Sequence, residues 1–465
     1  MRAHEAGALH GDFTGLRPSW LTVPVDVNEL HGYLWPQNVS RDDRGELTVA
    51  GHSVSELARQ YGTPAYFFDE GDFRTRCHRW AEAFDFADVY YAAKAFCSKA
   101  VLRIVAEYGF KVDVCTEGEM VVALTAGIEP SNIGLHGNNK SDSELTLALK
   151  HGIGRIVVDS FDEIHRLEQH AAALGVRPQL MVRVNVGVEA HTHEYIATAH
   201  EDQKFGFSLT DGDAYAAADR IIRSEHLQLV GLHTHIGSQI FDTSAFEVSA
   251  QRALRLHARL QREHGVNLPE LDLGGGYGIA LNSQDDPQPP EDIADGLRAI
   301  IAEESAAAGI DQPRISIEPG RSLIGPSMFT LYTVGTVKPV RLSGGTGRLY
   351  VSVDGGMSDN LRPALYDASY SATLASRADT STASLARVVG KHCEAGDIVV
   401  KDEFLPSDIA VGDLLAVPGT GAYCRSMGSN YNHIPRPPVI AVTREGSRPI
   451  VARETIEDLL RLDVG

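Results

Sequence analysis

The 465-residue sequence predicts an α/β protein, a closed (β/α)8 TIM-type barrel followed by a C-terminal β-rich domain. Three observations point there. From about residue 87 to 320 one rhythm repeats eight times: a short β-rich run, a turn, and a stretch with apolar residues at helical spacing. Eight such units close into a barrel rather than an open sheet. After Arg321 the rhythm stops, and segments that alternate apolar with polar residues take over. The chain is also too long for one ordinary domain but suits a barrel plus a second module.

Taken in order, residues 1–63 carry LTVAG and the short helical pattern SVSELARQYG, and are expected to pack with the β-rich domain. Residues 1–30 have no assignable role. The barrel is expected over 64–321, with strands in DVYYAAKA, KVDVCT, NIGLHG, RIVVDS, LMVRVN, LVGLHTH, LDLGG and RISIEPG. Between them, SKAVLRIVAEYG, EGEMVVALTAG, SDSELTLALKHG and FDEIHRLEQHAAALG have apolar residues at helical spacing. Ser or Asp followed by Glu marks helix starts, and Gly marks helix ends. LNSQDDPQPPED reads as a solvent loop after the seventh strand. The β-rich domain, 322–465, is expected from MFTLYTVGTVKPVRL, RLYVSVDGG, ARVVGKHC, DIVVKDEF and DLLAVPGTGAY, with a terminal helix in TIEDLLRL.

The formal net charge of −20, with no basic run to offset it, argues against nucleic acid and anionic membranes as partners. Small-molecule chemistry is the better default. No signal peptide and no bilayer-length apolar run is visible, so a cytoplasmic location is expected. Five scattered cysteines without CxxC spacing imply reduced thiols, one of which has room to be reactive.

Barrel chemistry sits where strands end and βα loops begin. Those ends carry Lys94, Asp113 with Cys115, His136, Asp159, Arg183 with Asn185, His233 with His235, Gly274 to Gly276, and Glu318 with Arg321. Lys94 interrupts an otherwise apolar run, VYYAAKAF. It either snorkels to water or serves as an amine nucleophile. LDLGGGYG is a tight turn or a phosphate cradle, and Gly237-Ser238 lies at the neighbouring strand end. HTH at 233–235, like HTHE at 191–194, fits zinc ligands, or places His235 flat against an aromatic ring. The zinc reading leaves Lys94, the glycines and Arg321 idle. IEPGR offers a structural ion pair, or a carboxylate for a pyridine nitrogen beside a guanidinium for a carboxylate. Lysine, cradle and carboxylate together are the parts a pyridoxal phosphate site needs. Beyond the barrel, GKHCEAGD sets Cys393 beside Glu394, MSDNLRPALY carries Arg362 and Tyr366, and GTGAYC carries Tyr423.

In their order and spacing, YYAAKA, HGNNKS, HTHIGSQ, LDLGGGYG, EPGR, MSDNLRPALY, HCEAGD, GTGAYC and SNYNHIPRPP strongly resemble the diaminopimelate decarboxylases, lyases of the alanine-racemase-like barrel group. The resemblance covers about residues 60 to 440. EAHTHEYIATAHEDQKFGF and SNYNHIPRPP look most like that branch. Gly390-Lys391-His392 departs from the Gly-Pro common before the cysteine, while Cys393 and Glu394 match.

The resemblance implies decarboxylation of meso-2,6-diaminopimelate to L-lysine and CO2, the last step of lysine biosynthesis, with pyridoxal 5'-phosphate as cofactor. It implies Lys94 and Cys393 as catalytic residues. Lys94, Asp113, His235, Ser238, Gly275, Gly276, Glu318, Pro319, Gly320, Arg321 and Tyr423 would hold the cofactor. Arg321, Arg362, Tyr366, Glu394 and Tyr423 would hold the substrate, with no metal. It further implies a homodimer in which Cys393 and Glu394 come from the partner subunit. The alternatives are another basic amino-acid or polyamine-pathway decarboxylase of the same fold, a racemase, a non-catalytic homologue that binds the cofactor, and the zinc hydrolase.

Overall fold

The computed structural model describes residues 17–188, 204–341, 347–379 and 381–465. The HTHE motif at 191–194 lies outside the described residues. The described residues form two compact units, one drawn from positions 76–278 and 287–322, the other from positions 17–75, 279–286 and 323–465.

In the first unit eight parallel strands close on themselves. They are β1 (Ala87–Ala92), β2 (Lys111–Val114), β3 (Ile133–Leu135), β4 (Arg155–Val158), β5 (Gln179–Asn185), β6 (Gln228–His233), β7 (Glu270–Asp272) and β8 (Arg314–Ile317). Each pairs with the next, and β8 returns to β1. The two-residue strand Phe207–Ser208 adds to the edge of β5. Runs such as Ile156-Val157-Val158 and Leu180-Met181-Val182 are buried throughout, as expected of strands covered on both faces. Ser98, Thr116, Ser141 and Ser160 each accept the N–H three residues on, and Ser141 with Glu144 completes a capping box. Gly127, Gly152 and Gly175 end their helices in the left-handed conformation.

Charge is also built into the barrel. Arg155 pairs with Asp272, donates to Ser316 Oγ at 2.9 Å and lies 3.7 Å over the Tyr90 ring. Lys140 meets Glu163 at 2.7 Å and donates to the carbonyls of Gly137 and Val157 at 2.6 and 2.7 Å.

The first strand is shorter than the sequence suggests. DVYYAAKA reads as strand through Lys94, yet β1 stops at Ala92 and Ala93–Ala95 forms a single 3-10 turn. The Ala92 N–H donates to the Pro319 carbonyl at 3.2 Å, and Tyr91 Oη donates to the Phe96 carbonyl at 2.8 Å. The turn leaves Lys94 exposed, which spares its ammonium the loss of hydration that a buried strand position would impose.

The second unit is β-rich. Its long strand β9 (Met328–Arg341) pairs with Ala65–Asp69, with β10 (Gly347–Val353) and with β13 (Leu414–Pro418). β11 (Ala383–Val389) lies parallel to β10 and antiparallel to β12 (Ile398–Pro406). Val439–Thr443 pairs with Ala65–Asp69, so that early segment hydrogen-bonds in this sheet although it precedes the barrel strands in sequence. All five residues of Ala65–Asp69 are buried, as a central strand requires. Trp35, Leu47, Val54 and Leu57 join Phe67 and Phe329 in one core. Among the described residues no helix is long and apolar enough to cross a membrane.

Candidate active site

Glycine builds one wall of the barrel mouth. Gly274 and Gly276 have φ of 72° and 112°, conformations that side chains rarely adopt. A Cβ on Gly274, Gly275 or Gly276 would fall 2.4, 2.2 or 2.4 Å from the carbonyl oxygens of Thr234, Glu318 and Gly237. Only bare backbone fits at this contact between the ends of β6, β7 and β8. The Gly275 N–H donates to His235 Nδ1 at 3.4 Å, so this glycine orients the imidazole and leaves the ring proton on Nε2. Arg321 is nearly buried and donates to Ser238 Oγ at 3.1 Å, joining the loops after β6 and β8.

Carboxylates and imidazoles fill the floor. Glu318 Oε1 lies 3.1 Å from His136 Nε2 and 3.2 Å from His233 Nε2, while Asp113 Oδ1 lies 3.4 Å from the same His136 nitrogen. All four side chains are buried. Burial pushes the Asp113 carboxyl up to about 8, with Glu318 adding to the shift and Lys94 opposing it. Burial and the charge of Asp272 push Glu318 up to about 8 as well. The same desolvation drives His136 and His235 well below the usual histidine range and His233 down to about 3. The Cys97 and Cys115 thiols are raised too, Cys97 to about 12, which keeps them protonated and poor nucleophiles.

Pro319 and Gly320 connect this floor to Lys94. Pro319 accepts from Ala92 at the end of β1, and Gly320 packs against Ala92 and Ala95 on either side of the lysine.

The remaining predicted residues are in the β-rich unit. The Arg362 guanidinium lies 5.1 Å from the Tyr366 ring centroid and 5.5 Å from that of Tyr423. Among the described residues its buried Nε has no hydrogen-bond partner, a donor available to an incoming anion. Tyr423 holds a left-handed φ of 59°. Cys393 and Glu394 occupy the connection between β11 and β12, with Cys393 exposed. The Cys393 N–H donates to Asn432 Oδ1 at 3.1 Å, and His392 Nδ1 lies 3.3 Å from the same oxygen. His392 stacks on Tyr431 and faces Ser358 Oγ at 2.9 Å through Nε2.

Thus the structure gathers Lys94, Asp113, His235, Ser238, Gly275, Gly276, Glu318, Pro319, Gly320 and Arg321 at one barrel mouth, and sets Arg362, Tyr366 and Tyr423 side by side in the other unit. Sequence reading gave His136 no role and His233 none beyond the zinc alternative, and it gave Asn432 none. The first two were visible as polar strand ends, whereas nothing in SNYNHIPRPP singles out the asparagine. His136, His233 and Glu318 also satisfy the spacing of a metal-ligand trio.

An exposed lysine amine, a turn only bare backbone can form and a buried carboxylate whose Oε1 has no hydrogen-bond partner among the described residues fit a pyridoxal phosphate. Comparison with known proteins agrees. Residues 70–325 match the model of the pyridoxal-dependent decarboxylase family, pyridoxal binding domain. The diaminopimelate decarboxylase of Mycobacterium tuberculosis is 51% identical over 436 residues, covering 93% of this chain and 98% of that one. The enzyme of that name from Mycobacterium leprae is 48% identical over the whole of both chains, and that of Bacillus subtilis 43% over 91% of this chain and 96% of its own. The crystal structure of diaminopimelate decarboxylase from M. jannaschii superposes with a TM-score of 0.86 at 29% identity, covering 92% of this chain and 98% of that one. The chain belongs to the diaminopimelate decarboxylase family of pyridoxal-dependent decarboxylases.

Proposed function

We infer that the protein catalyses the pyridoxal-phosphate-dependent decarboxylation of meso-2,6-diaminopimelate to L-lysine and CO2. The observation that carries this reading is the barrel mouth itself, where Lys94, the glycine turn and the Glu318 carboxylate converge in a chain about half identical to enzymes of that name. Bound pyridoxal phosphate supplies an electron sink for the pair left behind when CO2 departs.

The chain's residues do the rest. Lys94, exposed in the turn after β1, would hold the cofactor through its amine. Glu318 would serve the ring nitrogen and His235 the face of the ring, with Asp113 completing the polar floor. Gly275, Gly276 and the Gly320 turn shape the backbone around the cofactor, with Ser238, Arg321 and Tyr423 as phosphate donors. Arg321, Arg362, Tyr366, Tyr423 and Glu394 hold the substrate, whose distal amino-acid end needs both cationic and anionic partners. The departing carboxylate leaves an electron pair on Cα, and one proton must replace it. Cys393 is the proposed donor, since its exposed thiol can approach a ligand. The enzyme is a homodimer in the cytoplasm, and Cys393 and Glu394 of one protomer complete the site of its partner.

The test is an absorption spectrum of the purified protein with added pyridoxal phosphate, followed by assay of lysine and CO2 from meso-diaminopimelate. A visible band, lost in Lys94→Ala, together with lysine release is the expected result. A band without lysine, or turnover of ornithine or arginine instead, overturns the substrate assignment. Sedimentation of the active enzyme as a monomer overturns the dimer.

A further inference from the structure

We propose that His136 is a positioning residue for the cofactor, acting with His233 to commit one oxygen of Glu318 to the protein so that the other faces the ring nitrogen. The inference rests on the role given to Glu318 above.

The argument starts from unsatisfied groups. Glu318 Oε1, His136 Nε2, both His233 ring nitrogens and both Asp113 oxygens are buried without a hydrogen-bond partner among the described residues. Buried polar groups left this way cost stability, so a cluster of them is poorly explained as scaffolding. The geometry instead anticipates a proton and a charge that arrive with a ligand. Two imidazole nitrogens lie 3.1 and 3.2 Å from one carboxylate oxygen, and such contacts attract only when a proton lies between the atoms.

The placement is rigid. The His136 backbone N–H donates to the Val114 carbonyl at 2.8 Å, His233 ends β6 in register with Asp272, and the two rings meet edge to face with centroids 5.0 Å apart. Around the cluster, Arg155 and Arg183 bring positive charge from β4 and β5, Lys94 brings it from the turn after β1, and Asp272 brings negative charge from β7. Burial, reinforced by those cations, disfavours protonated imidazoles, and the same cations oppose the upward push that burial and Asp272 give Glu318. Neutral histidines that donate N–H groups to an anionic carboxylate are the arrangement a protonated ring nitrogen needs opposite it. His136 has the more demanding post, because its Nε2 is shared between Glu318 and Asp113.

The experiment compares wild type, His136→Phe and His136→Gln as apoprotein and holoenzyme. Pyridoxal phosphate affinity is read from the visible band, kcat and KM from lysine formation, and melting temperature from the apoprotein. Loss of a hydrogen bond to a charged group predicts that His136→Phe weakens cofactor binding and lowers kcat by roughly ten- to a hundredfold, with KM little changed. The Phe apoprotein is expected to melt no lower than wild type, and Gln, whose amide can donate, to restore most of both losses. Unchanged affinity and kcat in His136→Phe would overturn the proposal. So would a lower apoprotein melting temperature that alone accounts for the losses, without recovery in Gln. A wild type that forms no visible band would sink the Glu318 role itself and this inference with it, an outcome distinct from both.

Discussion

Gly320 lies so close to Ala92 that a β-carbon at position 320 would stand 3.0 Å from both the Cβ and the carbonyl oxygen of Ala92. The contact ties the end of β8 to the end of β1, two residues before the proposed nucleophile. Gly320→Ala is therefore expected to shift the Lys94 turn by a few tenths of an ångström and to lower kcat on the order of ten- to a hundredfold. Activity per bound cofactor, rather than total activity, is the measurement that isolates the shift.

Cys393→Ala should leave cofactor binding and its visible band intact while slowing turnover by roughly a hundred- to ten-thousandfold, the range for loss of a proton-transfer group. An unchanged rate removes Cys393 from the mechanism. Asn432→Ala should reproduce a smaller part of the loss, because it frees the Cys393 backbone without touching the thiol.

The Lys140–Glu163 pair predicts a stability effect away from the chemistry. Its side chains are nearly inaccessible, and Glu163 also accepts from the Asp159 N–H at 3.0 Å. Glu163→Ala strands a buried ammonium and should cost about 3–5 kcal/mol in urea unfolding. Lys140→Met with Glu163→Leu removes both charges and should cost much less. Equal losses in the two would show that the charges are not the cause.

The raised carboxyls predict how apoprotein stability varies with pH. Asp113 and Glu318 titrate near 8 in the folded protein but near 4 when unfolded, so their burial costs stability as pH rises through that interval. The depressed histidines act oppositely, but only below their unfolded value of about 6.5. Between roughly pH 6.5 and 8 these carboxyls, with Asp359 and Glu403 raised to about 7, act without opposition from the histidines, and apoprotein stability should fall. Asp113→Asn should flatten that fall, and an identical slope in the variant would contradict the assignment.

Much of this was legible from residue order. Barrel strands covered on both faces read as short apolar runs, helix starts carry Ser with Glu three residues on, and polar residues at strand ends mark the mouth. What stayed hidden depends on side chains distant in sequence. Nothing local ends β1 at Ala92, since Pro319 and Gly320 supply the contacts there. Ala65–Asp69 looks like any buried strand until Met328–Arg341 and Val439–Thr443 take it into their sheet. His136 and His233 show a purpose only beside Glu318, 182 and 85 residues further along the chain.

The glycine turn also bears on how this site can evolve. At Gly274, Gly275 and Gly276 every side chain meets a backbone carbonyl, so single substitutions there offer no graded adjustment. With the phosphate placed as proposed, any drift in its affinity must pass through exchangeable neighbours such as Ser238 and Arg321. The turn is thus closed to gradual change, and under the proposed role selection for tighter or looser cofactor retention would leave its traces on those two side chains.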